Sequence, residues 1–479
     1  MEKGQTVELY IDDMSTEGQG IGRTEEGMVV FAAGALPGDK TRVELTKVKK
    51  KYAIGRAVEI LHASEDRRAE IWCEYQEHCG GCPYSGLEYR RQLAVKEQQV
   101  RSRLERIAGV EAPVQPIVGM EEPERYRNKA VMKVSTGGLM TRKGGIQEPV
   151  HEPRIGFYQA KTHDVVDCED CRLQIGTAMA AADATRQFME EDHICSFDPR
   201  WDKGLMKQMT VRTAFGTGEV MVVYDINGKG IPNAAKLVEY LDDAVYEAGG
   251  SLESVVIRNE KKTITLAGKS TITDAVSISD GDGELPRELD FEISANSFYQ
   301  VNHEQMEKLY SVVRKYVRMC DTGRRGSPVV LDLYCGIGTI GLCIADLASH
   351  VHGVEIVKDA VTDANRNATI NGIVNATYTC GKAEELIPQW LAGEEEAVRA
   401  DIVIVDPPRA GCRQELLDTI AEADIPHVIY VSCDPATLAR DVKLLHEKGY
   451  ELLSATPVDM FPNTGHVETV ALIQKRKSN

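Results

Sequence analysis

The chain has 479 residues, 42% hydrophobic and 27% charged, with a formal net charge of −18. That length exceeds one average domain and suits two or three, and the acidic balance excludes a surface that is basic all over. No apolar run of about 18 residues occurs and Met1-Glu-Lys-Gly-Gln5 lacks a signal peptide's apolar stretch, so no membrane span and a cytoplasmic location are expected.

The first 62 residues read as short strands with glycine turns. Val7–Ile11 alternates, Gly18-Gln-Gly20 turns, Gly27–Phe31 is extended and Pro37-Gly38-Asp39 turns tightly. Val43–Val48 and Tyr52–Val58 follow. Five short strands suit a small closed barrel of OB type, which serves as a nucleic-acid platform or as a protein-interaction module. Lys40, Arg42, Lys47, Lys49, Lys50, Lys51 and Arg56 face only Glu44 over this stretch, and Arg125, Arg127, Lys129 and Lys133 form a second basic group. Either group could equally be a solvated face.

A cysteine cluster comes next, then a helix over Leu87–Gly109. Leu93, Val100, Leu104 and Ile107 fall on one of its faces, and Gly109 ends it. Residues 115 to 290 are mixed, with strand-like Glu219–Tyr224 and Ser254–Ile257. The charge-rich Ser279–Glu284 reads as a surface turn. From 291 strand and helix alternate: strands at Val329–Tyr334, His350–Ile356 and Asp401–Asp406, helices at Thr339–Leu347 and Val357–Ile370. Such alternation predicts a parallel sheet with helices on both faces. Three parts are therefore expected: a barrel over 1–62, a central part over 63–290 and an α/β part over 291–479.

Three constellations carry chemistry. In Asp332-Leu-Tyr-Cys-Gly336-Ile-Gly338-Thr339, glycines allow close backbone approach to a ligand at a helix start. Glu355 ends the next strand, where an acid can grip ribose hydroxyls, and Asp406 would face the same crevice. The glycine spacing is read as favouring S-adenosylmethionine over a dinucleotide. Second, Cys73, Cys79 and Cys82 present three thiols, and Cys168 and Cys171 offer a fourth. In a chain with twelve cysteines and no export signal these suit a metal site, with zinc and an iron–sulfur cluster both open.

Third, His427-Val-Ile-Tyr-Val-Ser-Cys433 reads as a buried strand stopped by Asp434-Pro435. It sets a thiol at the carboxyl end of a sheet strand, where open α/β folds place their ligands. Glu468 lies downstream. A thiolate adding to carbon 6 of uracil makes carbon 5 able to accept a methyl group, and a carboxylate can then remove the carbon 5 proton. Taken singly, a cysteine such as Cys433 at a buried strand end is more often a packing residue than a nucleophile.

At these residues the chain resembles the RNA uracil-C5-methyltransferases, in particular the bacterial 23S ribosomal RNA type that carries an iron–sulfur cluster. The resemblance rests on Ser297-Phe-Tyr-Gln300-Val-Asn302, Leu331–Thr339, Asp406-Pro-Pro-Arg409, Val431-Ser-Cys433-Asp-Pro-Ala-Thr-Leu-Ala-Arg-Asp441 and Phe461-Pro-Asn-Thr-Gly-His-Val-Glu468. Asp434 stands where the family usually carries Asn.

The resemblance implies a Rossmann-like catalytic domain with a seven-stranded, mostly parallel sheet, a TRAM-type RNA-binding barrel and a mixed α+β central domain. It implies Cys433 as nucleophile and Glu468 as base, and assigns Gln300, Tyr334, Thr339, Glu355, Lys382 and Asp406 to S-adenosylmethionine or the reacting centre. It implies a 4Fe–4S cluster on Cys73, Cys79, Cys82 and Cys171, with Cys168 spare. The expected partner is a loop uridine of 23S ribosomal RNA, flipped into the pocket, with no DNA, no membrane and a monomeric chain. The barrel is the ground for ribosomal over transfer RNA, which remains the alternative substrate. Two rivals are a methyltransferase acting on an exocyclic nitrogen and an RNA-binding iron–sulfur protein without methyl transfer.

Overall fold

The protein is described from a computed structural model over residues 1–111, 113–136, 139–141, 147–149, 152–160, 162–198, 202–279, 285–321, 326–392 and 399–476. The turn expected at Ser279–Glu284 lies outside these residues apart from Ser279.

Strands Thr6–Met14, Gly20–Arg23, Val29–Ala33, Lys40–Val48 and Tyr52–His62 close into a barrel. Side chains alternate along each strand, so Leu9, Ile11, Val30, Val43 and Leu45 point inward and form a small core. The polar positions face out, and there the expected basic face is partly neutralised. Arg42 pairs with Glu8 and Glu59, and Arg56 with Glu44. Among the described residues, Lys47, Lys49, Lys50 and Lys51 form no ion pair, so the net positive charge concentrates at that turn.

A second sheet runs in the order Val165–Asp167, Pro153–Tyr158, Lys129–Thr136, Met206–Thr213, Glu219–Ile226, Ser251–Arg258, Thr263–Gly268. Helices Gly176–Glu191 and Ala234–Glu247 cover one face through Phe188, Leu237, Leu241 and Val245. Met221, Val223 and Val256 on the other face join the hydrophobic core of the α/β part. The hairpin Thr271–Ile278 and Arg287–Ser294 spans the expected boundary at 290. It packs against helices His303–Met319 and Lys358–Ile370 of the α/β part.

The α/β part holds a seven-stranded sheet in the order Ala376–Cys380, His350–Glu355, Val329–Leu333, Ile402–Val405, His427–Ser432, Glu468–Lys475, Tyr450–Val458. The first five strands are parallel, and Glu468–Lys475 runs antiparallel to both of its neighbours. Ile402–Val405 and His427–Ser432 are buried at every position, which is why they read as unbroken apolar runs.

Helix Tyr89–Arg103 packs on the α/β part, with Val100 and Leu104 buried beside Leu438, Val442 and Leu445. The expected single apolar face needs one correction. Residues 104–108 form a wider π turn, which shifts the helical phase by about one residue. Ala108 takes the buried place, Ile107 is left exposed, and Gly109 at φ 69° ends the element.

Candidate active site

Strand Val329–Leu333 runs straight into a sharp turn. Tyr334 has φ 64°, Gly336 φ 56° and Gly338 φ 81°, after which helix Thr339–Ile344 begins. A side chain is tolerated in this left-handed region at Tyr334 only at a cost, and such outliers gather at binding sites. At Gly338 a Cβ would come within 2.8 Å of the Tyr378 ring, so the turn needs glycine there. Asp332 accepts from the Gly341 amide at 2.9 Å. Glu355 accepts from the amides of Gly336 at 3.1 Å and Val357 at 2.8 Å, which ties the next strand's end to the turn.

The turn opens onto a cleft lined by Phe298, Gln300, Tyr310, Tyr334, Thr339 and Asp406 among others. Four of the six residues expected at a cofactor thus share one wall. Thr339 Oγ1 accepts from the Tyr310 hydroxyl at 3.0 Å, and the Tyr334 hydroxyl donates to Glu384 at 2.9 Å. Glu355 stands behind the glycine loop. Lys382 follows Gly381, whose amide donates to the Glu355 carbonyl at 2.9 Å, but its own side chain is exposed and pairs with Glu385 at 2.6 Å, while its carbonyl accepts from the Glu385 and Leu386 amides at the start of helix Ala383–Ala392. Its place is that of a helix start, and it does not line the cleft. Gly336 leaves open space at its Cα, which gives a ligand in the cleft room for close approach to the turn, and behind the turn one buried Asp332 carboxyl oxygen has no partner.

At the same end of the sheet, Cys433 follows strand His427–Ser432 directly. The Asp434 carboxylate accepts from the amides of Ala436 and Thr437 at 2.8 and 3.0 Å and caps helix Pro435–Glu447, a duty Asn would share. Ser432 pairs with Thr469 across the antiparallel ladder, so one step further brings Cys433 opposite Glu468. Glu468 is 4% exposed. Burial, with Asp406 nearby, pushes its carboxyl up to about 8, against the pull of Arg409. Burial likewise raises Asp406, on the cleft wall, to about 7. The half-buried Cys433 thiol rises to about 11 through burial, then Glu468 and Asp406, with Arg409 opposing. Cleft, thiol and carboxyl therefore form one electrostatic unit.

The loop 459–467 that leads into Glu468 is gripped by residues the sequence reading passed over. Lys96, Gln92, Tyr89 and Tyr126 all bond to it. The available signal was Lys96 itself: it shares a helical stripe with Val100 and Leu104, where a lysine is out of place.

Cys73, Cys82 and Cys171 pack together with Trp72, Met120, Tyr126 and Leu173. Burial raises the Cys82 thiol, with further contributions from Cys171, Cys79 and Cys73, in that order. A hydrogen bond between Cys168 and Cys171 lowers Cys171 and raises Cys168. Yet among the described residues no three His, Cys, Asp or Glu side chains close on a point that would hold a single metal ion. The metal site expected from the sequence is thus not seen among the described residues; Cys73, Cys82 and Cys171 gather without forming one.

Comparison with known proteins adds the chemistry's class. The tRNA (Uracil-5-)-methyltransferase model matches residues 234–476 and the TRAM domain model residues 1–58. An uncharacterized RNA methyltransferase of Halalkalibacterium halodurans is 38% identical, over 99% of this chain and 98% of its own. One from Staphylococcus aureus is 39% identical over 96% of each. The Pyrococcus abyssi tRNA (uracil-54, C5)-methyltransferase, solved with S-adenosyl-L-homocysteine, superposes with a TM-score of 0.70 at 27% identity, covering 97% of this chain and 99% of its own. The glycine loop needs one correction. Gly336, Gly338 and Gly341 do have dinucleotide-type Gly-x-Gly-x-x-Gly spacing, so the preference for S-adenosylmethionine rests on the family and not on spacing. With a TRAM barrel ahead of a Rossmann-like domain, the chain is an RNA methyltransferase and belongs to the S-adenosylmethionine-dependent uracil-5-methyltransferase family.

Proposed function

We propose that this enzyme methylates carbon 5 of a loop uracil in 23S ribosomal RNA, with Cys433 as nucleophile and Glu468 as base. The observation that carries the reading is the opposition of Cys433 and Glu468 at the carboxyl end of the sheet, beside the cleft lined by Gln300, Tyr334 and Asp406. The Cys433 sulfur bonds to carbon 6 and the ring's electron pair moves to carbon 5. Gln300, Tyr334, Thr339, Glu355 and Asp406 would hold S-adenosylmethionine, which would supply the methyl group that bonds to carbon 5, its sulfonium becoming the thioether of S-adenosylhomocysteine. Glu468 then takes the carbon 5 proton, the carbon–sulfur bond breaks, and the Cys433 thiolate is restored. The barrel (1–62), through its Lys47–Lys51 turn, and Arg127 and Lys129 of the central part (63–290) hold phosphates. The part from 291 to 479 performs the transfer.

We further read Cys73, Cys79, Cys82 and Cys171 as ligands of a 4Fe–4S cluster. Such a cluster spreads its cysteine sulfurs more widely than a single ion does. That suits thiols that influence one another without closing on one point, and Cys73, Cys79 and Cys82 each feel Cys171.

The barrel no longer argues for ribosomal RNA, since the P. abyssi tRNA enzyme aligns with 97% of this chain. What supports ribosomal RNA is the cysteine set, which resembles the ribosomal type. The likeness to the tRNA enzyme supports transfer RNA as a second reading. Mapping 5-methyluridine in both RNAs from a strain lacking this protein tests the two. A site lost from 23S ribosomal RNA supports the proposal, and a loss confined to transfer RNA overturns it.

A further inference from the structure

The segment between strand Tyr450–Val458 and Glu468 has little regular structure, yet it is fixed almost residue by residue. Asp459 and Lys96 are both 0% exposed and meet at 2.5 Å. The Lys96 ammonium also donates to the Phe461 carbonyl at 3.0 Å. The second Asp459 oxygen accepts from the Tyr89 hydroxyl at 2.9 Å, and its carbonyl accepts from Gln305 at 3.1 Å. Asn463, in the left-handed region at φ 65°, is held on both sides: its amide donates to Gln92 at 2.9 Å and its side-chain oxygen accepts from Gln92 at 3.0 Å. The Pro462 carbonyl accepts from Tyr126 at 3.0 Å, and the Asn463 carbonyl from the Tyr84 amide at 3.0 Å. At Gly465 a Cβ would collide with the Thr16 backbone, so the loop packs directly against the chain at the barrel's first turn.

A buried ion pair gives little net stability against an apolar pair of the same shape. It does fix geometry, because neither charge can leave its partner. Here the pair lies at the root of the loop, and the same ammonium reaches forward to Phe461. Among the described residues no other cation pairs with Asp459 or bonds to that carbonyl. The bonds made by Tyr89, Gln92 and Lys96 come from one helix, 89–103, which carries no reacting group in the proposed mechanism.

We propose that Lys96 is a positioning residue for Glu468: through Asp459 and the Phe461 carbonyl it sets the loop so that the carboxyl meets carbon 5 of the Cys433-bound ring. This rests on the base role given to Glu468 above.

The test uses the full-length protein as purified and the double variant Lys96→Met with Asp459→Asn. It removes both charges and leaves Tyr89 an acceptor, which avoids the unfolding expected when one buried charge is stranded. Thermal unfolding and S-adenosylmethionine binding should match wild type. Turnover should fall about a hundredfold, the scale of a misplaced catalytic group, and a denaturant-stable protein–RNA adduct should accumulate because release is the slowed step. Lys96→Met alone serves as the stranded-charge control. Amide exchange over 459–468 in the double variant should quicken. Wild-type turnover, or lost turnover without adduct in a folded variant, overturns the proposal. Unchanged exchange over 459–468 also overturns it, whatever Glu468 does. Failure of the base role itself would show separately, as normal turnover in Glu468→Gln.

Discussion

Cys433 follows strand His427–Ser432 and Glu468 opens strand Glu468–Lys475, each one residue beyond the Ser432–Thr469 pair that ends their antiparallel ladder. Their closeness works against ionisation of either group. Burial already disfavours charge on both, and a thiolate beside a carboxylate adds repulsion. Arg409 is the cation that opposes this for each. The pair is thus suited to acting in sequence, sulfur first and carboxylate later, with one negative charge at a time.

Glu468→Gln separates those two events. The amide keeps the shape and cannot take the proton, so addition and methyl transfer proceed while elimination stops. A covalent protein–RNA band stable to denaturant, carrying the methyl group, is expected on gels. Normal turnover without such a band would remove Glu468 from the mechanism.

Cys433→Ala should abolish methyl transfer, since carbon 5 is then never activated. The thiol lies outside the set lining the cofactor cleft, so S-adenosylmethionine affinity by calorimetry should stay at the wild-type value. Retained methylation would favour chemistry at an exocyclic nitrogen, which needs no sulfur.

The raised Glu468 carboxyl has two consequences with pH. Its value near 8 in the fold lies above the 4.5 of an ordinary glutamate, so the folded state holds the proton more tightly. Stability is therefore drawn down as pH climbs from about 4.5 to about 8, by at most about 1.4 kcal/mol per pH unit for one group. Glu468→Gln removes that dependence, and the Tm advantage of the variant over wild type should widen from pH 5 to pH 9. Wild-type release of methylated RNA should accelerate over the same interval and level off above about pH 8, because only the ionised carboxylate accepts a proton. A Tm gap that narrows with pH would contradict the assignment.

Much of this site was legible because its parts are local. The glycine turn, the acid closing the next strand and the apolar run into Cys433 each lie within a few residues, and the parallel sheet imposes their periodicity. Pairing across the whole chain was not legible. Lys96 and Asp459 are 363 residues apart, and no short-range pattern links them. Ile107 was misplaced because a π turn shifts the helical phase, which an apolar stripe alone does not reveal. The basic run in the barrel looked stronger than it is, since the acids that neutralise Arg42 come from neighbouring strands.

The cysteine set makes a compositional prediction. Purified without oxygen, the protein should be brown and contain iron and sulfide, and Cys82→Ser should lose both. Cys168→Ser should keep its iron, because Cys171 acts on Cys73, Cys79 and Cys82 alike, whereas Cys168 is coupled to Cys73 and Cys79 but not to Cys82. Stoichiometric zinc without iron, or iron lost from Cys168→Ser and kept in Cys171→Ser, would overturn the ligand assignment.

The two ends of the proposed cofactor set should behave differently on substitution. Gln300 is 8% exposed and lines the cleft, and its carbonyl is fixed by the Asn128 side chain at 2.9 Å, so the residue is held in place before any ligand arrives. Gln300→Ala removes a preorganised polar contact and should weaken S-adenosylmethionine binding about tenfold, in line with about 1.5 kcal/mol for one hydrogen bond. Lys382 projects into solvent towards Glu385, and an exposed pair of this kind contributes little. Lys382→Ala should therefore leave cofactor affinity unchanged. Calorimetric titration of both variants decides the matter: a loss at Lys382 equal to that at Gln300 would bring the helix start at Ala383 into the cofactor site, against its present position outside the cleft.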